Sequence, residues 1–302
     1  MPQVLWGGKL TFGPKIMMNL NNIWAWITGD ARDPQRMKER MKQGYEGEIS
    51  EYISRYDELA GDHYLRCAQE LMEGFNVSGM EVLELACGTG IISETILEQG
   101  VKSLVCGDIA DNMLNQCRRK LQSKGYGPDV VDFTRLDAEE LPFDDSVFDA
   151  LVAGMMFAGM PNQMGALIEM FRVLKAGGIL AISAHGPDHN WEAIDAGFKK
   201  PSLDFLGYRM EWWPVTEKKI RRMMNKAGFE NIQTRRASSK EYFESPSAAF
   251  EFAAAQTGLW MQSFVAPEKR PELTKTLRAT FESLEIKENT TDLVLAYGQK
   301  PD

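Results

Sequence analysis

The sequence predicts an α/β fold, a parallel sheet covered by helices on both faces, and three observations carry that expectation. From about Tyr56 to His185, short apolar runs alternate with segments of helical period, the rhythm that feeds one parallel strand after another. One run, EVLELA, ends in the turn CGTG, with a helical segment directly behind it. Eighteen residues after Gly90 a second run, SLVCGD, closes on an acid, Asp108.

Taken in order, the opening from Met1 to about Asp33 mixes Gly, Asn, Trp and Met without a clean period. Its residues Trp24, Trp26 and Ile27 suit a lid folded over the chain's own core, with a membrane-surface or partner contact as the alternative. From Pro34 the period turns helical, with Met37, Met41, Tyr45, Ile49, Tyr52, Ile53 and Tyr56 at three- and four-residue steps. EVLELA is the first strand, and a helix runs from the glycine turn to about Glu98, with Gly100 as its stop. SLVCG is the second strand. Asp111 is placed to cap a helix carrying Leu114, Cys117 and Leu121 on one face. VVDFTRL and FDALVAG are the third and fourth strands. Leu167, Met170, Phe171 and Leu174 mark a helix closed at Gly177-Gly178, and ILAISA is the fifth strand. Thr216 starts a helix with Ile220, Met223, Met224 and Ala227, which Gly228 ends. FENIQTRRA and TDLVLAYGQK are the sixth and seventh strands. Between them lie a helix begun by Ser245-Pro246 and ended by Gly258, and another lined by Leu273, Leu277, Phe281 and Leu284.

Composition bounds the function. The 302 residues are 44% hydrophobic and 25% charged, an ordinary globular balance. A net charge of -9 argues against a nucleic-acid backbone as main partner, which needs a basic footprint. The group Arg221, Arg222, Arg235 and Arg236 reads as a solvated face. Cys67, Cys87, Cys106 and Cys117 show neither a C-x-x-C pair nor zinc spacing, so reduced thiols and no metal site are expected. No apolar run has the length of a spanning helix, and the N-terminus lacks a signal-peptide pattern. A cytoplasmic protein without an integral membrane segment is the expectation.

The loop narrows the cofactor. A strand, a turn of small residues and a helix let a ligand approach the backbone closely. An acid at the end of the second strand can accept from both hydroxyls of a ribose. The dinucleotide fingerprint G-x-G-x-x-G/A is met only loosely, with Ser93 in the third small position, and the Walker G-K-[ST] is missing. Glu84 stands just before the turn. A carboxylate there repels a pyrophosphate but suits an ammonium group. S-adenosylmethionine has an amino group, a carboxylate and a ribose, and no phosphate.

VLELACGTG, CGDIADNML, LDAEELPF, FDALVAGMMFAGMP and FRVLKAGGILAIS together resemble, in order and spacing, the class I S-adenosylmethionine-dependent methyltransferases. The closest likeness is to the small-molecule branch of ubiquinone/menaquinone-biosynthesis-type enzymes. The resemblance is strong from about Tyr56 to His185 and continues weakly through WWPVTEKKIRRMMNKAGF. It implies that Glu84, Ala86, Gly88 and Gly90 lie along the methionine moiety, Ala86 replacing the usual first glycine. It puts Asp108 on the ribose, with Ile109 and Met113 beside the adenine. Asp137 and Ala138 fall on the pair that reads the adenine amino group and ring. Ala153, Gly154 and Met155 border the sulfonium, and Tyr56 matches a tyrosine that closes over the cofactor. The expected fold is then a Rossmann-like seven-stranded sheet with the last strand antiparallel, an N-terminal helical cap over 1–55 and a cofactor core over 56–186. A substrate-side region over 187–302 completes the sheet, with a helical insertion at about 239–289 that serves as a dimer contact or a substrate cover.

Methyl transfer needs alignment of nucleophile, methyl and sulfur more than a fixed catalytic motif, so the acceptor is read from elsewhere. His185, directly after the fifth strand, is the candidate base, with His189 and Asp188 close by; His63 reads as structural. Phe157 stands where many relatives carry a histidine, which suggests an apolar wall. With Tyr208, Trp212 and Trp213 it would line a pocket for a small hydrophobic or aromatic acceptor methylated on oxygen, carbon or sulfur. The competing readings are a methyltransferase-like nucleoside-binding protein without catalysis and, less favoured because of Glu84, an NAD-dependent oxidoreductase. A protein or tRNA methyltransferase lacks support, since AGMM replaces an N-P-P-Y-type tetrad.

Overall fold

A computed structural model describes residues 38–39, 42–43, 45–46, 63–157, 160, 162–189, 215–254 and 270–302. The described residues form two compact units. Of the described residues, the larger holds those of 63–157, 160, 162–187, 215–237 and 293–302, and the smaller holds 38–39, 42–43, 45–46, 188–189, 238–254 and 270–292.

The seven strands are β1 (Glu81–Leu85), β2 (Ser103–Asp108), β3 (Val131–Arg135), β4 (Phe148–Ala153), β5 (Leu174–His185), β6 (Glu230–Tyr242) and β7 (Glu288–Gln299). They lie in the order β3-β2-β1-β4-β5-β7-β6. All pairs from β3 across to β5 are parallel, and β7 runs antiparallel to β5, as the sequence led one to expect. The order reverses between β1 and β4. The chain winds one way from β1 to β3 and the other way from β4 to β5, so its crossovers cover opposite faces.

Side-chain alternation decides which face each residue meets. Leu83, Leu85, Leu151, Ala153, Leu180, Ile182, Val294 and Ala296 pack in one core with α4 (Gln163–Val173) and α5 (Glu217–Ala227), through Leu167, Met170, Ile220 and Met224. Val82, Leu104, Cys106, Ala150, Val152, Ala181, Leu293 and Leu295 form the other. They meet α1 (63–72), α2 (Ile91–Leu97) and α3 (Asp111–Ser123), through Leu71, Ile96, Leu114, Cys117 and Leu121. The smaller unit has its own core, built by helical residues 246–254, here α6, and α7 (Arg270–Ser283). Phe250 and Phe281 meet edge to face in it, ring centroids 5.6 Å apart, beside Ala249, Ala253 and Leu277.

Three local expectations change. Asp111 is the first helical residue and Ala110 the cap, because the carboxylate of Asp108 already accepts the Ala110 N–H at 3.0 Å. Gly177 and Gly178 do not close a helix; they lie within β5, where the β4 register shifts and a Cβ on Gly178 would come within 3.2 Å of the Asp149 carbonyl. Leu284 lies past the end of α7 and is exposed. The Thr216 and Gly228 signals hold: the Thr216 hydroxyl accepts the Lys219 N–H, and Gly228 takes φ 105°. Among the described residues no helix is long and apolar enough to cross a membrane, and no cluster suits a metal ion. Trp24, Trp26 and Gly258 lie outside them. Because the Thr216 cap satisfies a backbone donor of α5, Thr216→Ala should lower stability by about 1 kcal/mol, read from urea unfolding.

Candidate active site

The carboxyl ends of β1, β2 and β4 finish in register. Leu85 pairs with Gly107 on one side and Ala153 on the other, which sets Ala86, Asp108 and Gly154 next to one another. The turn after β1 alternates into left-handed backbone at Ala86 (φ 56°), Gly88 (φ 53°) and Gly90 (φ 85°). Two of these positions use glycine for different reasons. A Cβ on Gly90 would sit 2.7 Å from Cys117 Sγ, so this glycine lets the turn close onto α3. Nothing lies within 4 Å of where a Cβ on Gly88 would be, so the turn is open there. Ala86 holds the same backbone at a steric cost of about 1–2 kcal/mol.

Asp108 binds this turn to the next. Its Oδ2 accepts from the Gly88 N–H and its Oδ1 from the Ala110 N–H, each at 3.0 Å. Burial raises the carboxyl to about 6, against backbone N–H groups that pull it down. A carboxylate has about four lone-pair sites. Beyond the Gly88 and Ala110 donors, the carboxyl can accept further hydrogen bonds, which suits neighbouring hydroxyls.

Glu84 is buried in β1, and Ser93 of α2 donates a hydrogen bond to its Oε2. Its Oε1 is buried with no partner. Burial, assisted by Cys117, pushes this carboxyl well above the usual glutamate range. The unfilled oxygen suits a cationic donor. Ser93, which the sequence suggested only as a small packing residue, is thus the partner that holds Glu84.

The remaining predicted residues fall as follows. Ile109 is half-buried and Met113 buried at the start of α3. The Leu136 N–H donates to the Asp108 carbonyl, so Asp137 and Ala138 follow directly from the β2 end. Asp137 accepts the Glu139 N–H at 2.9 Å in a tight turn, and Ala138 is buried. Arg172 of α4 anchors the loop beyond, donating to the carbonyls of Leu141 and Phe143 and to Glu169. Met155 sits in left-handed backbone at φ 54°, its N–H held at 2.9 Å by both the carbonyl and the hydroxyl of Ser183. Ser183 is a polar interruption in ILAISA, a signal that sequence reasoning passed over. Phe157 is fully buried in the core shared with α4, and its carbonyl accepts from Gln163. His185 ends β5, half-buried, its carbonyl accepting the Val215 N–H at 3.2 Å. His63 is buried with its Nε2 3.8 Å from Cys67 Sγ. Tyr56, Tyr208, Trp212 and Trp213 lie outside the described residues.

Residues 83–182 match the methyltransferase domain family. The chain is 30% identical over 175 residues to the demethylmenaquinone methyltransferase of Clavibacter sepedonicus, a stretch that is 53% of this chain and 69% of that protein. It is 34% identical over 178 residues to the ubiquinone/menaquinone biosynthesis C-methyltransferase UbiE of Cronobacter sakazakii, covering 51% and 68% of the two. Among solved structures, phosphoethanolamine N-methyltransferase 2 of Haemonchus contortus, in complex with phosphomonomethylethanolamine and S-adenosylhomocysteine, has a TM-score of 0.57. The identity is 15% over 87% of this chain and 61% of that one, a likeness of fold. Fold and family together define a class I enzyme that uses S-adenosylmethionine. The chain belongs to the ubiquinone/menaquinone-biosynthesis-type methyltransferases. The NAD-dependent and non-catalytic readings fall with that membership.

The raised Glu84 carboxyl has a stability consequence. Its folded value lies above the unfolded 4.5, so its contribution is full below that pH and is lost as pH rises toward the folded value. Glu84→Gln should therefore raise the melting temperature of the ligand-free protein more at pH 8 than at pH 5, in a calorimetric scan.

Proposed function

We propose that this enzyme transfers a methyl group to a ring carbon of a small, largely apolar quinol-type acceptor. The names of the relatives, demethylmenaquinone methyltransferase and ubiquinone/menaquinone biosynthesis C-methyltransferase, support the acceptor class. The observation that carries the cofactor side is the buried, unpartnered Oε1 of Glu84, a few residues from the open backbone at Gly88.

In this reading Glu84 meets the amino group of S-adenosylmethionine, and Ala86, Gly88 and Gly90 shape the backbone along its methionine moiety. Asp108 accepts from both ribose hydroxyls. Ile109 and Met113 flank the adenine, which Asp137 and Ala138 read at its edge. Ala153 and Met155 border the sulfonium, with Ser183 fixing the Met155 backbone. The family resemblance assigns Tyr56 to the cofactor, and Phe157, Tyr208, Trp212 and Trp213 to an apolar acceptor. The bound cofactor supplies a methyl group on a positive sulfur, so the leaving group is already activated. The protein's part is alignment and exclusion of water. His185 takes the proton from a ring hydroxyl of the acceptor. Electron density then moves onto the adjacent ring carbon, which attacks in line, and that carbon's own proton leaves afterwards.

Incubation with S-adenosylmethionine and a reduced short-chain demethylmenaquinol should give a ring-methylated product by mass spectrometry. His185→Ala should lower kcat by about a hundredfold, the scale of general-base loss, with KM for the cofactor unmoved. Turnover confined to polar amines or macromolecules would reject the acceptor class. For the cofactor side, Asp108→Asn should weaken S-adenosylhomocysteine by about tenfold or more, since it removes a charge-assisted hydrogen bond. Ribose hydroxyls favour the ionised carboxyl. Wild-type affinity should accordingly fall as pH drops through about 6, and the asparagine variant should lack that dependence in titration calorimetry.

A further inference from the structure

The turn from Asp137 to Glu140 is held at both ends by groups outside it. Within the turn, the Glu139 N–H donates to Asp137 Oδ1 at 2.9 Å, and the Glu140 N–H donates to the Asp137 carbonyl at 3.0 Å. On its upstream side the Leu136 N–H donates to the Asp108 carbonyl at 3.0 Å, which ties the turn to the end of β2. On its downstream side both backbone groups of Leu141 are taken by one ion pair of α4. The Leu141 N–H donates to Glu169 Oε2 at 2.8 Å, and the Leu141 carbonyl accepts from Arg172 Nη2 at 2.9 Å. All of these residues lie in the larger unit.

The two charged side chains also hold each other. Arg172 donates from Nε to Glu169 Oε1 at 2.9 Å and from Nη2 to Glu169 Oε2 at 2.8 Å, a two-point contact that fixes orientation as well as distance. Its Nη1 reaches on to the Phe143 carbonyl at 2.6 Å and to Asp145 at 2.9 Å. The guanidinium holds the Glu169 carboxyl below the usual glutamate range, so the pair stays charged at neutral pH. An i,i+3 pair that served only its own helix would be worth about 0.2–0.5 kcal/mol and would need no loop contacts. Here the fork directs its other donors to a loop 27 to 31 residues away in the chain.

We infer that the Glu169–Arg172 pair positions the turn by which this enzyme distinguishes adenine from other bases. On the proposed function, from which this takes its ligand, Asp137 and Ala138 meet the adenine edge. Glu169 and Arg172 touch no part of the cofactor there and act through the turn, as positioning residues. A carboxylate accepts from the adenine amino group but repels a ring carbonyl in the same place, since it has no proton to donate. That contrast depends on placement, because a hydrogen bond weakens steeply outside a narrow range of distance and angle. Untying Leu141 therefore costs selectivity for adenine and not affinity alone.

Titration calorimetry on the full chain tests this with S-adenosylhomocysteine and with S-inosylhomocysteine, in which a ring carbonyl replaces the adenine amino group. The wild type should prefer the adenine ligand by about tenfold or more, the scale of one well-placed hydrogen bond. Arg172→Gln should reduce that preference to about threefold or less. Arg172→Lys carries the same expectation should the glutamine variant fail to accumulate, because lysine keeps the charge without the planar fork. Asp137→Ala should remove the preference. A pair that merely stabilised the fold would lower Tm and weaken both ligands in equal proportion. An unchanged preference in the Arg172 variants therefore overturns the positioning role, and loss of preference in Asp137→Ala would then leave the adenine-edge reading standing. A wild type without a preference, or a preference that survives Asp137→Ala, overturns both.

Discussion

The carboxylate of Asp108 ties together the backbone at the carboxyl ends of the first three strands. One buried group accepts from Gly88 in the turn after β1 and from Ala110 in the turn before α3, and its own carbonyl receives Leu136 from the end of β3. Three strand ends are thereby tied to one residue. Removing the side chain would leave two backbone donors without a partner, which a folded protein rarely tolerates. The close approach of Gly90 to Cys117 works with it, since the turn reaches Asp108 only if α2 can start against α3. The same burial raises the carboxyl to about 6. The site therefore keeps a carboxyl with open lone pairs in surroundings that favour additional donors.

Much of this was legible in the sequence because the signals were local. Alternating runs and helical periods gave the order of elements, and EVLELA-CGTG with SLVCGD located the reversal of strand order. Thr216 and Gly228 bracketed α5 because a hydroxyl cap and a left-handed glycine act within one turn of the chain. Glu84, Gly88 and Asp108 were legible for the same reason, each standing at a fixed offset from a strand end.

What escaped the sequence depends on partners far along the chain. Asp111 is the local exception: the carboxylate that accepts the Ala110 N–H belongs to Asp108, two residues away. Ser93 and Glu84 meet between a helix and the sheet, and Ser183 braces Met155 from the neighbouring strand, 28 residues away. Gly177 and Gly178 read as a helix stop, whereas their use is set by the register of β5 against β4. β6 and β7 extend past the expected runs through residues such as Lys240 and Asn289, whose polarity hides strand character that pairing imposes.

In the proposed arrangement Glu84 and Asp108 differ in how their buried carboxyls are held. Both are buried, but Asp108 keeps backbone donors that lower its proton affinity, while Glu84 has the Ser93 hydroxyl set against the burial that raises it. In the proposed arrangement an ammonium beside Glu84 favours the carboxylate, because opposite charges in a poorly solvated site attract more strongly than in water. Burial disfavours an isolated charge on Glu84 in the free protein, and a cation beside it would offset that cost. A diphosphate offers no such offset: it would meet either a neutral acid or a like charge. In that proposed arrangement the selectivity for a sulfonium nucleoside over a dinucleotide resides in the buried Glu84 carboxyl, inside a fold that both kinds of cofactor share.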